Sequence, residues 1–149
     1  MDALDRKILA CLKKNAREKA SAIAEQVNLS VSSVTERIKK MEKENIISGY
    51  TLLLNDKRIG NTVSAIMEVS IESPKYQDAF LKLVDSIPNI VTCYCVTGDY
   101  DYVIHIVTDS TDGLDDIYRA LKSFDGVSDT KTSLILRTTK QEFSVIPEE

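Results

Sequence analysis

Apolar positions repeat first with the period of a helix and then, beyond residue 45, with the period of a strand. Leu4, Ile8, Cys11 and Leu12 fall on one face of a helix predicted from Asp2 to Asn15, with Asp2 as its cap and Asp5 in its first turn. Ile23, Ala24 and Val27 predict a second helix over Lys19 to Val27, followed by the short polar turn Asn28-Leu29-Ser30. Ser30 suits the N-cap of a third helix running to about Lys43, with Val34, Ile38 and Met41 as its inward stripe. Past Asn45 the run Ile46 to Leu54 reads as a helix exit into a strand, and Asn55 to Gly60 as a polar linker.

The remainder alternates. Val63, Ala65, Met67, Val69 and Ile71 take turns with Ser64, Ile66, Glu68 and Ser70, which is strand periodicity. Pro74 opens a helix to about Ile87, with Phe80, Leu83 and Val84 inward. Strands are predicted over Ile90 to Thr97 and Tyr102 to Thr108, joined by the turn Gly98-Asp99-Tyr100-Asp101. A helix over Thr111 to Phe124 ends at Gly126, a long strand covers Asp129 to Thr139, and the pattern allows a short one over Glu142 to Ile146. The order β-α-β-β-α-β is the split βαβ, or ferredoxin-like, arrangement. The fold class is therefore α+β: a three-helix (winged) helix-turn-helix domain over 1–47, a hinge strand and linker over 48–61, and a ferredoxin-like domain over 62–149.

Such a sheet carries both helices on one face and leaves the other open. Ile66, Tyr94, Val96 and Ile104 are read on that open face, where a solvated sheet would carry charge. An apolar open face implies a partner, so a homodimer is expected.

Charge sharpens the division. The 149 residues carry a net charge of −4, but Met1 to Ile47 holds +3 and the rest −7. A basic helical part on an acidic remainder suits one unit to phosphates and the other to something else. No apolar run approaches the length of a membrane span, and the start has no signal-peptide layout, so a cytoplasmic location is expected. Cys11, Cys93 and Cys95 make no disulfide framework, and Cys93-x-Cys95 with the single His105 completes no tetrahedral site. No nucleophile–base set, phosphate loop or dinucleotide loop is present, so neither a cofactor nor an enzymatic activity is expected.

Two places carry candidate chemistry. Opposite the Val34-Ile38-Met41 stripe the third helix carries Ser32, Glu36, Lys39 and Lys43, with Ser33, Thr35 and Lys40 at the flanks and Ser30 at the cap. Short hydroxylated residues near the helix start suit bases and phosphates, and the lysines suit phosphates. A three-helix bundle with a solvated polar face has the same periodicity. Arg37 lies nearer the core stripe, so both a base contact and an ion pair with Asp5 fit its position. The second place is the Gly98–Asp101 turn. A glycine beside two carboxylates can accept from an α-ammonium while its N–H binds a carboxylate; a hairpin turn with solvated aspartates reads the same way.

Leu4-Asp5-Arg6-Lys7-Ile8-Leu9, Asn28-Leu29-Ser30, Val34-Thr35-Glu36-Arg37-Ile38 and Ile46-Ile47-Ser48-Gly49-Tyr50-Thr51 together resemble the leucine-responsive/asparagine-operon (Lrp/AsnC) regulators. Val96-Thr97-Gly98-Asp99-Tyr100-Asp101-Tyr102 and Gly126-Val127-Ser128-Asp129-Thr130-Lys131-Thr132 match the two hallmarks of that family's C-terminal domain. The resemblance spans nearly the whole chain. It departs at Asn28 and Val31, where the family often has Gly and Pro. It implies a DNA-binding transcriptional regulator that reads a pseudo-palindromic double-stranded site through Ser30, Ser32, Ser33, Thr35, Glu36, Arg37, Lys39 and Lys40. It further implies an amino-acid effector held between dimers by Gly98, Asp99, Asp101, Asp129, Thr130 and Thr132, and assembly of dimers into closed rings. A DNA-architectural protein without effector, or a related haem-precursor decarboxylase, would share the framework.

Overall fold

Helix α1 (Ala3–Lys14) starts on a reciprocal cap: the Asp2 carboxylate accepts from the Asp5 N–H, and the Asp5 carboxylate from the Asp2 N–H, each at 2.9 Å. Helix α2 (Ala20–Val27) stops at Asn28, whose φ of 55° is left-handed, a conformation Asn tolerates through its short polar side chain. Helix α3 (Val31–Lys43) is capped by Ser30, whose hydroxyl accepts from the Ser33 N–H at 3.1 Å. Ile8, Ile23, Ala24, Val27, Val34 and Met41 are buried together, with Leu12, Leu29, Ile38 and Ile47 packed against them. The apolar stripes read from the sequence are thus the ones that close this unit.

The strand expected over Ile46 to Leu54 is not formed. A strand exists by pairing its amides with a neighbour, and this stretch of the chain pairs with no other strand among the described residues. Leu52, Leu53 and Leu54 are left 78%, 66% and 59% exposed. No strand forms over Glu142 to Ile146 either. The computed structural model describes residues 1–147, which fall into two compact units: residues 1–53 with 141–147, and residues 54–140.

In the second unit β1 (Val63–Ile71) is central, β2 (Ile90–Cys95) and β4 (Val127–Leu134) are edges, and the order is β2-β3-β1-β4, with β3 being Tyr102–Thr108. All pairs are antiparallel. Helix α4 (Gln77–Ser86), entered through a 3-10 turn at Pro74–Tyr76, connects β1 to β2, and α5 (Thr111–Lys122) connects β3 to β4. Strands β2 and β4 both end earlier than expected, at Cys95 and Leu134. Phe80 and Val84 of α4 and Ile117 and Leu121 of α5 cover Met67, Val69, Tyr102, Ile104 and Ile106. The Phe80 and Tyr102 rings lie 5.0 Å apart at this core's centre.

Register corrects one expectation. Ile104 stands opposite Met67 and is fully buried, so it belongs to the helix-covered face and not the open one. Its neighbour His105 faces the open side, opposite Ile66. The open face carries Ser64, Ile66 and Glu68 of β1, Val103 and His105 of β3, Tyr94 of β2, and Asp129 and Lys131 of β4.

Candidate DNA-binding and effector sites

Three hydroxyls gather at the start of α3. Ser30 Oγ lies 3.0 Å from Ser32 Oγ and 2.8 Å from Ser33 Oγ, while Ser30 also caps the helix. The capped amides and the macrodipole leave this end partly positive, which favours phosphate. Ser32, Glu36, Lys39 and Lys40 are exposed; Ser33 and Thr35 are half-buried. The Thr35 hydroxyl donates to the Val31 carbonyl at 2.9 Å, so its hydrogen is already committed to the helix. Lys40 stands 3.9 Å from Glu44, a loose surface pair that a phosphate could replace at little cost.

Arg37 departs from this group. Its Nη1 donates to Asp2 Oδ2 and Asp5 Oδ1, both at 2.7 Å, and so ties α3 to the first turn of α1. The hydrogen bonds from the Asp5 amide and Arg37 hold the Asp2 carboxyl at about 2. Of the eight residues named from the sequence, Arg37 is thus the one whose side chain bonds to another helix. The two aspartates were legible as a helix cap, and Asp5 as an ion-pair partner of Arg37; that Asp2 joins the pair depends on how the helices pack.

At the other site, Gly98 has a φ of 127°, which only glycine takes without strain, so the Gly98–Asp101 turn depends on it. The turn is pinned to β1. The Asp101 N–H donates to the Val69 carbonyl at 3.0 Å, and the Ser70 hydroxyl to the Asp99 carbonyl at 3.3 Å. The Asp101 carboxylate accepts from the Ile71 N–H at 2.7 Å, beside the register shift between Ser70 and Ile71. The irregularity displaces that amide from the regular ladder and the carboxylate takes it up. One Asp101 oxygen is therefore spent on holding the turn.

Tyr100, to which the sequence pattern assigns no role beyond the turn, joins the two candidate segments. Its hydroxyl donates to Asp129 Oδ2 at 3.3 Å, while Asp129 Oδ1 accepts from the Thr130 N–H at 2.8 Å. Desolvation and the Asp129 carboxylate both raise the Tyr100 phenol above its ordinary value. Asp129 stands opposite Ser70 on the open side of β4; Thr130 and Thr132 stand opposite Val69 and Met67, on the other side. Thr130 Oγ1 is buried and has no hydrogen-bond partner among the described residues. Structure thus brings Asp99, Asp101 and Asp129 to one end of the sheet, linked by Tyr100, and leaves Thr132 exposed further along β4.

A trihelical unit with a polar third helix, joined to a ferredoxin-like unit with an open sheet face, is the build of a helix-turn-helix regulator with an assembly and ligand domain. Residues 1–48 match the family model described as winged helix-turn-helix DNA-binding, and residues 64–145 the Lrp/AsnC ligand binding domain. The chain belongs to the Lrp/AsnC family of transcriptional regulators. It is 31% identical to an uncharacterized HTH-type transcriptional regulator of Pyrococcus abyssi, over 99% of both chains. Among solved structures it is similar to a Neisseria meningitidis transcriptional regulator in complex with L-methionine, with 28% identity, 98% and 96% coverage and a TM-score of 0.93. It is similar as well to a Mycobacterium tuberculosis feast or famine regulatory protein complexed with L-methionine: 27% identity, 98% and 99% coverage, TM-score 0.90. No helix among the described residues is long and apolar enough to cross a membrane.

Proposed function

We propose that this regulator reads DNA through the outward face of α3 and is modulated by an amino acid bound where the Gly98–Asp101 turn meets the start of β4. The observation that carries the effector reading is Thr130 Oγ1, buried with no hydrogen-bond partner among the described residues, one residue from Asp129. A buried hydroxyl without a hydrogen bond costs about 1–3 kcal/mol, which a ligand's polar group would recover. Asp99 and the free oxygen of Asp101 supply acceptors for an ammonium, and the Gly98 N–H a donor for a carboxylate. L-methionine in two relatives of the same fold supports an amino acid as the ligand class.

Contact with DNA falls to Ser30, Ser32, Ser33, Glu36, Lys39 and Lys40. The open face, with Ile66, Tyr94 and Val103, makes a homodimer the unit that binds, and a two-fold dimer presents two α3 helices to a pseudo-palindromic duplex. Dimers assemble further, with the effector between them. The protein acts in the cytoplasm, without catalysis, a reading supported by its similarity to transcriptional regulators.

Two measurements test the reading. A thermal-shift screen of the amino acids should find a stabilising ligand, because whatever binds only the folded state raises its melting temperature. A flat screen would leave the protein without an amino-acid effector. For DNA, Lys39→Ala with Lys40→Ala should lower the slope of log K against log salt by about one unit per lost phosphate contact. An unchanged slope would remove both lysines from the interface.

A further inference from the structure

We propose that Arg37 is a positioning residue for DNA recognition: by locking α3 to the N-terminus of α1 it sets the rotation at which α3 presents its outward face, and so governs sequence specificity without touching DNA. This rests on reading α3 as the recognition helix.

The geometry uses every carboxylate oxygen available. Asp2 Oδ1 and Asp5 Oδ2 accept the two amides of the reciprocal cap, and Asp2 Oδ2 and Asp5 Oδ1 accept Arg37 Nη1. The two aspartates therefore hold each other rigid while offering Arg37 a fixed double acceptor. Otherwise α1 and α3 share an apolar cluster that includes Ile8, Val34 and Met41, with Leu9, Cys11, Leu12 and Ile38 packed against it. Burial of apolar surface has no preferred direction, so that packing tolerates small rotations of α3 about its axis. Hydrogen bonds to ionised groups do have a direction, and this one is placed on the helix between Ser33, one turn before, and Lys40, about one turn after.

Charge argues against Arg37 as a phosphate contact. Two carboxylates within 2.7 Å more than cancel its charge, and the cluster of the three carries a net −1. Asp5 is only 15% exposed at its side chain and Arg37 31%, so the pair is partly shielded from competing anions. The Asp2 carboxyl, held at about 2, stays ionised wherever the protein would meet DNA. A base reader is positioned by fractions of an ångström, and a bidentate base contact is worth about 1–3 kcal/mol of discrimination. A small rotation of α3 therefore removes specificity before it removes stability.

The test uses the full chain, a duplex selected by it from random-sequence DNA, and a scrambled duplex of equal length. The paired variant Asp2→Asn with Asp5→Asn keeps one acceptor per side chain for the helix cap but withdraws those of Arg37. Asp2→Asn alone is the milder second variant, and Arg37→Gln approaches from the other side. Each should lower the ratio of selected to scrambled affinity, by about tenfold for the paired variant, the size of one lost base contact. The salt slope should stay as in the unaltered chain, with melting temperature and helical circular dichroism nearly so. If Arg37 were a phosphate contact masked by the aspartates, the paired variant would bind both duplexes more tightly and steepen the slope by about one unit. That result, or an unchanged affinity ratio in folded variants, overturns the proposal. Weaker binding of both duplexes with a flatter salt slope in Lys39→Ala with Lys40→Ala, against loss of discrimination alone here, separates this idea from the reading of α3 as the DNA-binding helix.

Discussion

Gly126→Ala should be among the more damaging single-methyl additions to this protein. Gly126 links α5 to β4 at a φ of 103°, outside the range an alanine takes without strain, which costs about 1–3 kcal/mol. A Cβ there would also lie 2.2 Å from Tyr76 Cγ, 2.4 Å from Cδ2 and 2.7 Å from Cβ. These atoms are the root of the ring rather than its tip, so no small swing of the phenol relieves them. Overpacking of this kind costs about a further 1–3 kcal/mol. The Gly126 carbonyl accepts from the Glu72 N–H at 2.8 Å, so retreat of the backbone loses a bond between the end of β1 and the start of β4. A total of about 2–6 kcal/mol, at about 2–4 °C per kcal/mol for a chain of this size, predicts a melting temperature lower by about 4–24 °C. Differential scanning fluorimetry or calorimetry measures it. Tyr76→Ala removes the two nearer atoms, so the double variant should be less destabilised than the sum of the singles, a coupling expected only of touching residues. An unchanged melting temperature for Gly126→Ala, or strict additivity with Tyr76→Ala, would refute the reasoning.

Thr130→Val should leave the unliganded protein as stable as before or slightly more so, since it removes an unpaired buried hydroxyl. It should weaken the amino acid found in the thermal-shift screen by about ten-fold, read by titration calorimetry, and equal affinity would take Thr130 out of the pocket. Ile66→Glu, half-buried on the open face opposite His105, should convert the dimer to monomer in light scattering, because an unpaired carboxylate buried at an interface costs several kcal/mol. A dimer that survives places the interface elsewhere. His105 is held below its ordinary 6.5 by burial, with Asp56 pulling the other way, and its Nε2 lies 2.7 Å from Ser64 Oγ. The unfolded chain then takes up this proton first, so its contribution is whole above about pH 6.5 and declines as pH falls below it toward the lowered folded value. His105→Gln should flatten that decline in melts run from pH 7.5 to pH 5, and an identical pH profile would exclude His105 as its source.

Local pattern alone determined much of this protein. The three helices of the first unit, their caps at Asp2 and Ser30, the β-α-β-β-α-β order and the glycine-dependent turn at Gly98 all follow from interactions within a few residues along the chain. Each of them is decided by helical or strand period, by a side chain capping its own helix, or by a φ that one residue type permits, so each was legible before any packing was known. The likeness of short motifs to the Lrp/AsnC regulators carried the functional reading further than periodicity could, because a solvated polar face and a DNA-reading face have the same pattern. What tertiary structure alone decided depends on partners distant in sequence. Ile104 lies on the covered face and not the open one because strand register is set by β1, about forty residues away, and a shift of one residue turns every side chain over. Ile46 to Leu54 has strand composition but no strand, since its amides find no neighbouring strand among the described residues. Arg37 reaches back 32 residues to Asp5, and Tyr100 reaches forward 29 to Asp129. Composition names the groups able to make such bonds, but their choice of partner is settled only when the helices and strands are packed.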